Sequence, residues 1–262
     1  ESDNTDTYSE KVMKANIAVF GSMAIAIDQL PAMSLNMQAT IDDLSESFNE
    51  DLAKEAGVSK KDWDKALAVF QKEVDALNKE GQDINDRYVE AVNSKSDVTS
   101  IQKEGKAYNK KVLDLFKYVQ DNFVGIVFSS DVVMKHVGYQ NNIEYMDEII
   151  QDLKKDKVND ALDVAYQLNG LCEYNYYLFS PNAAAKIDAH ADKAVENNKW
   201  WGNDKGYYFT NTKTATSSLL TKEDGDDVSV EIKVYESARK TQLDYYKEVL
   251  ENEILAMNKM GQ

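Results

Sequence analysis

The sequence predicts an all-α protein: an antiparallel bundle of long helices, with an added helical hairpin and one irregular, aromatic-rich segment. Only two of the 262 residues are proline and eleven are glycine, whereas strand-rich domains need frequent turns. Hydrophobic residues make up 43% and charged residues 29%, the balance of a folded chain. Apolar residues also recur over long stretches at the spacing of helix faces.

Two helices are predicted before the strongest pattern begins. Residues 8–30 form the first, which Pro31 ends or kinks because proline lacks a backbone N–H. Apolar residues at helical spacing from Met37 to about Lys54 predict the second, and Gly57 is suited to cap its C-terminal end.

The clearest helix signal lies at residues 59–92. Apolar residues recur there at alternating intervals of four and three, the seam of a heptad pattern, and one glycine interrupts them. Ser59 is placed to accept a hydrogen bond from the first turn. The seam residues are Trp63, Leu67, Phe70, Val74, Leu77, Gly81, Ile84 and Tyr88.

A second heptad helix follows the short polar turn at residues 93–97. Because so short a connection favours antiparallel packing, we expect the two helices to pair along their seams. Gly81 and Gly105 then lie at similar heights, where the helices approach closely. The second seam consists of Ile101, Gly105, Tyr108, Val112, Leu115, Val119 and Ile126.

The second half of the chain has weaker signals. Residues 123–138 are apolar on nearly every side, so they form a buried helix end or a short strand, and we favour the helix. Residues 198–227 lack helical periodicity; they hold a short hairpin or a functional loop. A single domain over residues 1–262 accommodates these elements. The remaining predicted helices cover 141–154, 157–178, 182–197 and 228–259.

The net charge of −16 argues against nucleic acid as a partner, because such binding depends on cations that meet phosphates. It also disfavours an anionic membrane surface. Only two arginines, Arg87 and Arg239, are present, which further weakens a nucleotide-binding interpretation.

No motif predicts catalysis, a metal site or a cofactor. The single cysteine, Cys172, excludes an internal disulfide, and neither His136 nor His190 belongs to a metal-binding motif. The acidic stretch 222–227 lacks the spacing of a calcium-binding loop, so we interpret it as a turn in which Asp226 or Asp227 lies at the start of the last helix.

Two aromatic clusters supply the candidate binding site. Aromatic faces stack on ligands and anchor interfaces, and the two clusters flank the predicted helix 182–197, so they are able to line one pocket. The alternative is that they pack together as a minor core. The candidate ligand-binding residues are Tyr174, Tyr177, Trp200, Trp201, Tyr207 and Tyr208.

The primary functional hypothesis is a non-enzymatic binding protein that holds a small molecule or a protein partner at these aromatics. The alternatives are a structural or assembly protein that interacts through a helical surface, and an enzyme or metal-dependent protein with an unfamiliar carboxylate site. No apolar run is long enough to span a bilayer. The polar start at Glu1, without methionine, is typical of a mature secreted bacterial protein or lipoprotein, so we expect an extracytoplasmic location and a possible lipid anchor upstream.

Overall fold

The computed structural model describes residues 9–125, 133–165, 167–168, 186 and 212–261. About 79% of these residues are helical, which confirms the all-α prediction. Within this described part the helices are α1 (Glu10–Asp28), α2 (Gln38–Glu46), α3 (Glu50–Glu55), α4 (Lys60–Asn93), α5 (Thr99–Phe123), α6 (Lys135–Lys154), α7 (Val158–Ala165), α8 (Lys213–Leu219) and α9 (Ser229–Met260). Two short strands, β1 (Val124–Gly125) and β2 (Val133–Met134), pair antiparallel between α5 and α6.

The contacts of the chain divide into two compact units. One consists of Glu1–Ala39 and Gln71–Tyr118, and the other of Thr40–Phe70 and Val119–Gln262. Such a division does not by itself show that either unit folds alone. The single domain over residues 1–262 therefore stays a prediction.

In the first unit, α4 and α5 form the predicted antiparallel hairpin. Arg87 Nη2 lies 2.6 Å from Glu104 Oε2, and Lys111 Nζ lies 2.7 Å from Glu80 Oε1. Residue numbers thus fall along α4 as they rise along α5. One cluster of buried side chains in this unit consists of Ala32, Ile84, Tyr108 and Val112.

The two glycines of the seams have different neighbours. A Cβ atom at Gly81 would collide with the Tyr108 ring, so this glycine does allow α4 and α5 to approach closely. A Cβ atom at Gly105 would collide with Pro31 and lie 2.7 Å from its carbonyl carbon. The predicted helix–helix approach is therefore correct for Gly81 and wrong for Gly105, which makes room for the segment that follows α1.

In the second unit, α6, α7, α8 and α9 surround one apolar cluster. The Tyr235 hydroxyl is buried there and lies 2.6 Å from Thr216 Oγ1, which pairs the polar end of an otherwise apolar side chain. The largest buried members of the cluster are Met146, Ile149, Leu153, Leu168, Leu219 and Tyr235.

Three predicted elements need correction. The favoured buried helix at 123–138 is wrong at β1 and β2, where the alternative of a short strand is correct. The helix expected over 37–54 is two helices, because Asn49 caps α3 by accepting a hydrogen bond from Leu52 N. The segment 198–227, expected to lack helix, contains α8 in its described half.

The acidic turn at 222–227 connects neighbouring backbone groups. Asp224 Oδ1 accepts a 2.8 Å hydrogen bond from Val158 N at the start of α7, and Asp156 Oδ1 accepts one of 2.6 Å from Gly225 N. Asp227 Oδ1 accepts from Ser229 N, and the hydrogen bonds from Ser229 lower the pKa of Asp227. The predicted position at the start of the last helix is confirmed for Asp227, which precedes the N-cap residue Val228 and accepts from the first helical residue.

Candidate functional site

The predicted aromatic site lies outside the described residues. This applies to each of its members, Tyr174, Tyr177, Trp200, Trp201, Tyr207 and Tyr208, and to the predicted helix 182–197 except residue 186, which is helical. The described part of the chain contains two other candidate features, each within a single unit. One is the exposed surface of α1, and the other is a buried polar cluster around His136.

Helix α1 exposes large apolar side chains along its length. Every residue from Glu10 to Ile25 is exposed, and the large apolar ones retain between 48% and 66% of their accessible surface. Monomeric proteins rarely expose contiguous apolar patches of more than a few hundred Å². These side chains are Val12, Met13, Ile17, Val19, Phe20, Met23 and Ile25.

Most of these side chains share one face of α1. At about 100° per residue, all except Ile25 fall within about 160° of the helix circumference. We call this set, Val12, Met13, Ile17, Val19, Phe20 and Met23, the α1 apolar face. Met13, Ile17 and Phe20 follow heptad spacing within it, which is the pattern of a helix that packs on another helix.

The segment after α1 is held on the α4–α5 hairpin by two asparagines. Asn85 accepts a hydrogen bond from Ala32 N and donates one to Ala32 O, both at 3.0 Å. Asn109 accepts from Met33 N at 2.8 Å and donates to Pro31 O at 3.0 Å. The two side-chain amides therefore pair with the backbone as a neighbouring strand would.

Further amides continue this attachment toward α2. Asn78 Nδ2 donates to Asn36 Oδ1 at 3.2 Å, and Gln71 and Gln38 exchange hydrogen bonds of 2.8 and 3.1 Å. Along α4 the amide residues 71, 78 and 85 recur every seven positions, so they share one helix face. We call residues 31–38 the strap. It fixes the C-terminal end of α1 to the hairpin.

A buried polar cluster lies in the second unit. His136 and Glu253 are 0% and 1% exposed, and His136 Nδ1 lies 2.9 Å from Glu253 Oε2. The other ring nitrogen, Nε2, lies 3.0 Å from the hydroxyl of the partly exposed Ser47. We call Ser47, His136 and Glu253 the His136 cluster. It joins the end of α2 to α6 and α9.

Aromatic rings enclose the His136 cluster. Trp63 meets the His136 ring edge-on with centroids 5.5 Å apart, and Phe48 stacks on Trp63 at 4.7 Å. Tyr246 lies 6.5 Å from the His136 ring. Burial, with the negative charges of Glu253 and Glu144, raises the pKa of the Tyr246 hydroxyl.

Two atoms of this region are buried without a hydrogen-bond partner among the described residues, the indole nitrogen of Trp63 and Glu253 Oε1. One is a donor and the other an acceptor. Buried polar groups are normally paired, because leaving one unpaired costs about 1–3 kcal/mol. These unpaired atoms therefore distinguish the cluster from an ordinary structural network.

A second charged cluster stabilises the same unit. Arg239 contacts Glu55 through Nη1 at 2.6 Å and Asp147 through Nε at 2.5 Å, so one guanidinium joins α3, α6 and α9. The hydrogen bonds from Arg239 lower the pKa of Glu55 although burial opposes them. Each of the three guanidinium nitrogens donates to a carboxylate oxygen, so we interpret this cluster as structural.

The sequence predicts neither a metal site nor a membrane-spanning segment, and the described residues test these two absences only for the part of the chain that they cover. They contain no group of three or more histidine, cysteine, aspartate or glutamate side chains placed to hold a metal ion. None of the helices they form is long and apolar enough to cross a membrane.

The sequence contained a signal for one of these features. The seven-residue spacing of Gln71, Asn78 and Asn85 forms a polar row beside the α4 seam, and this spacing is the sequence signal for the attachment of the strap. The His136 cluster gave no local signal, since its hydrogen bonds connect residues 89 and 117 positions apart.

No family model matches this sequence, and comparison with curated proteins and with solved structures gives no similar protein.

Proposed function

We propose that this is an assembly protein that self-associates through α1, with the α1 apolar face packed on the same face of a second copy. The observation that carries the proposal is the exposure of that face, between 48% and 66% for each large side chain. Of the hypotheses from the sequence, this develops the one in which a helical surface is the interface. The aromatic ligand site at Trp200 and Trp201 stays a prediction.

The charge of α1 suits contact between copies. The chain carries a net charge of −16, so most contacts between two copies are opposed by repulsion. Within α1, Lys11 and Lys14 balance Glu10 and Asp28. A neutral, apolar surface on an acidic chain is where two copies approach at the lowest electrostatic cost.

The size of the face supports weak association. Covering a half-exposed large apolar side chain gains about 1 kcal/mol, so six from each copy contribute on the order of 10 kcal/mol. Association costs roughly 4–15 kcal/mol in lost motion. With a cost of about 4–6 kcal/mol, at the low end of this range, about 4–6 kcal/mol remains, which corresponds to a dissociation constant between about 0.05 and 1 mM.

The strap holds the C-terminal end of α1 in place for this interaction. Asn85 and Asn109 hold residues 31–33 on the hairpin, and Ser9 caps the other end of α1 by accepting from Val12 N. A short isolated helix is marginal in water. Attachment at its C-terminal end reduces the conformational freedom that association removes.

The test is sedimentation of the purified chain from low micromolar to near-millimolar concentration. We expect the average mass to rise with concentration, and Phe20→Glu to weaken association by about tenfold or more because it places a charge in the apolar face. Phe116→Glu is the matched control, since Phe116 is an exposed phenylalanine on α5 of the same unit. A wild-type chain that stays monomeric throughout, or equal losses in both variants, would contradict the proposal.

A further inference from the structure

The His136 cluster has the arrangement of a nucleophile, a base and a residue that orients the base. In such sites a hydroxyl lies within hydrogen-bond reach of one imidazole nitrogen and a carboxylate holds the other. The distances of 3.0 Å from Ser47 Oγ to His136 Nε2 and 2.9 Å from His136 Nδ1 to Glu253 Oε2 fit both contacts. We propose that Ser47 is a nucleophile toward small acyl esters, with His136 as its general base and Glu253 as the residue that positions the imidazole.

Burial separates the roles of the three residues. Ser47 is partly exposed, whereas His136 and Glu253 are not. Ser47 therefore lies at the edge of the cluster toward solvent, while the base stays shielded from bulk water. When Glu253 Oε2 accepts a hydrogen bond from Nδ1–H, the lone pair of Nε2 faces the Ser47 hydroxyl.

The hydroxyl of Ser47 has a second acceptor. Ser47 Oγ lies 2.5 Å from the backbone oxygen of Asp43, one turn earlier in the chain. A hydroxyl has a single proton, so it donates either to Asp43 O or to His136 Nε2. The reactive state is the second, and rotation of the hydroxyl proton about the Cβ–Oγ bond interchanges the two.

The reaction that this geometry supports is acyl transfer. Ser47 Oγ loses its proton to His136 Nε2 and forms a bond to the ester carbonyl carbon. The ester C–O bond then breaks, and the leaving alkoxide takes the proton from His136. Water then gives a proton to His136 Nε2 and forms a bond to the acyl carbon. The bond from that carbon to Ser47 Oγ breaks, and Oγ takes the proton back from His136, so the acid is released after the alcohol and the protein is unchanged.

The surroundings suggest the substrate class. Phe48 follows Ser47 in the chain and stacks on Trp63, which places apolar rings beside the hydroxyl and the base. The acidity of the chain disfavours anionic substrates. A small, uncharged, apolar acyl group fits both observations.

The unpaired atoms of Trp63 and Glu253 strengthen this interpretation. A network that served stability alone would be expected to satisfy its buried donors and acceptors. Instead, a donor and an acceptor without partners among the described residues lie on side chains that contact His136. Unpaired buried groups of this kind occur at reactive sites.

The experiment is labelling of the native chain with an alkyl fluorophosphonate, a probe that reacts with activated serine hydroxyls. We expect stoichiometric modification of Ser47, mapped by peptide mass spectrometry, and none in heat-denatured protein. Ser47→Ala should abolish labelling, whereas Ser45→Ala, at an exposed serine in the last turn of α2, should leave it unchanged. His136→Gln should slow labelling about a hundredfold or more, as loss of a general base does.

Glu253→Gln tests positioning. The glutamine amide can donate to Nδ1 and so hold the tautomer whose Nε2 already carries a proton, which cannot act as a base. The maximal labelling rate of the folded variant should therefore fall, while the reagent concentration that gives half of that rate stays the same. A merely structural role would change stability without lowering the maximal rate of the folded chain. Modification elsewhere, no modification of native wild type, or equal labelling of a folded His136→Gln chain overturns the proposal. The wild-type result does not depend on any variant's folding, and it is independent of self-association through α1.

Discussion

Helix α1 and the His136 cluster place side chains in opposite environments. The first exposes six large apolar side chains on one face. The second buries a histidine and a glutamate that are 0% and 1% exposed. Each arrangement costs free energy in isolation, since water is ordered around the one and removed from the other. Each is therefore a place where the fold is less stable than it could be. At α1 a covering surface would recover the lost stability. At the cluster the cost accompanies the proposed chemical role.

The comparison predicts that stability depends on the cluster and hardly at all on the exposed face. His136→Ala leaves Glu253 buried without its partner, so we expect a loss of about 3–5 kcal/mol in the free energy of unfolding. Urea denaturation at low protein concentration measures this loss.

The matched change on the exposed face is Phe20→Ala, which should alter the unfolding free energy by less than about 0.5 kcal/mol. If the two variants lose similar amounts, α1 is not the exposed element that the structure shows and the contrast fails.

The attachment of α1 to the α4–α5 hairpin is tested by alanine substitutions at two helical glycines, Gly105 and Gly21. At Gly105 a methyl group would collide with Pro31, so Gly105→Ala should destabilise by about 1–3 kcal/mol and release the strap to proteolysis. At Gly21 on α1 nothing lies within 4 Å of the added atom.

Gly21→Ala should therefore stabilise the helix by about 0.5–1 kcal/mol. The sign of the effect is the useful readout here, from thermal unfolding of both variants. Stabilisation by both substitutions would show that the strap does not lie against Gly105.

A smaller effect is expected from acidification. Arg239 lowers the pKa of Glu55 from its ordinary value of 4.5, so this pair stabilises the fold fully above that value, and the contribution is lost as the pH falls through the lowered pKa. Because the Glu55 side chain is 45% exposed, the contribution is no more than about 1 kcal/mol.

Glu55→Gln should remove this part of the pH dependence between neutral pH and about pH 3. The measurement is the unfolding free energy across that range. An unchanged pH profile in the variant would show that the pair contributes nothing measurable.

The sequence predicted what depends on local spacing. The heptad seams were predicted correctly over α4 and over α5 as far as Val119, because each apolar position repeats within a few residues. The short turn between the helices implied the antiparallel pairing. Ile126, the last predicted member of the α5 seam, lies outside the described residues. Gly105 was assigned the wrong neighbour, because its true one, Pro31, is supplied by a segment more than seventy residues away. Spacing along one helix carries no information about such a contact.

The wrong helix prediction at β1 and β2 has a similar cause. β1 and β2 are two residues each, too short to show an alternating pattern, and their pairing joins Val124 to Met134 across a connection that periodicity does not describe. The His136 cluster depends on three elements that meet only in the folded chain. Its histidine was visible in the sequence, but its partners were not.

Hydrogen exchange as a function of protein concentration tests the central claim most directly. The account predicts that backbone amides of α1 exchange quickly in dilute solution and become protected as concentration rises, while those of α4 and α5 do not change. Phe20→Glu should abolish this protection and Phe116→Glu should leave it intact. Protection of α1 that is the same at every concentration would contradict self-association through its apolar face.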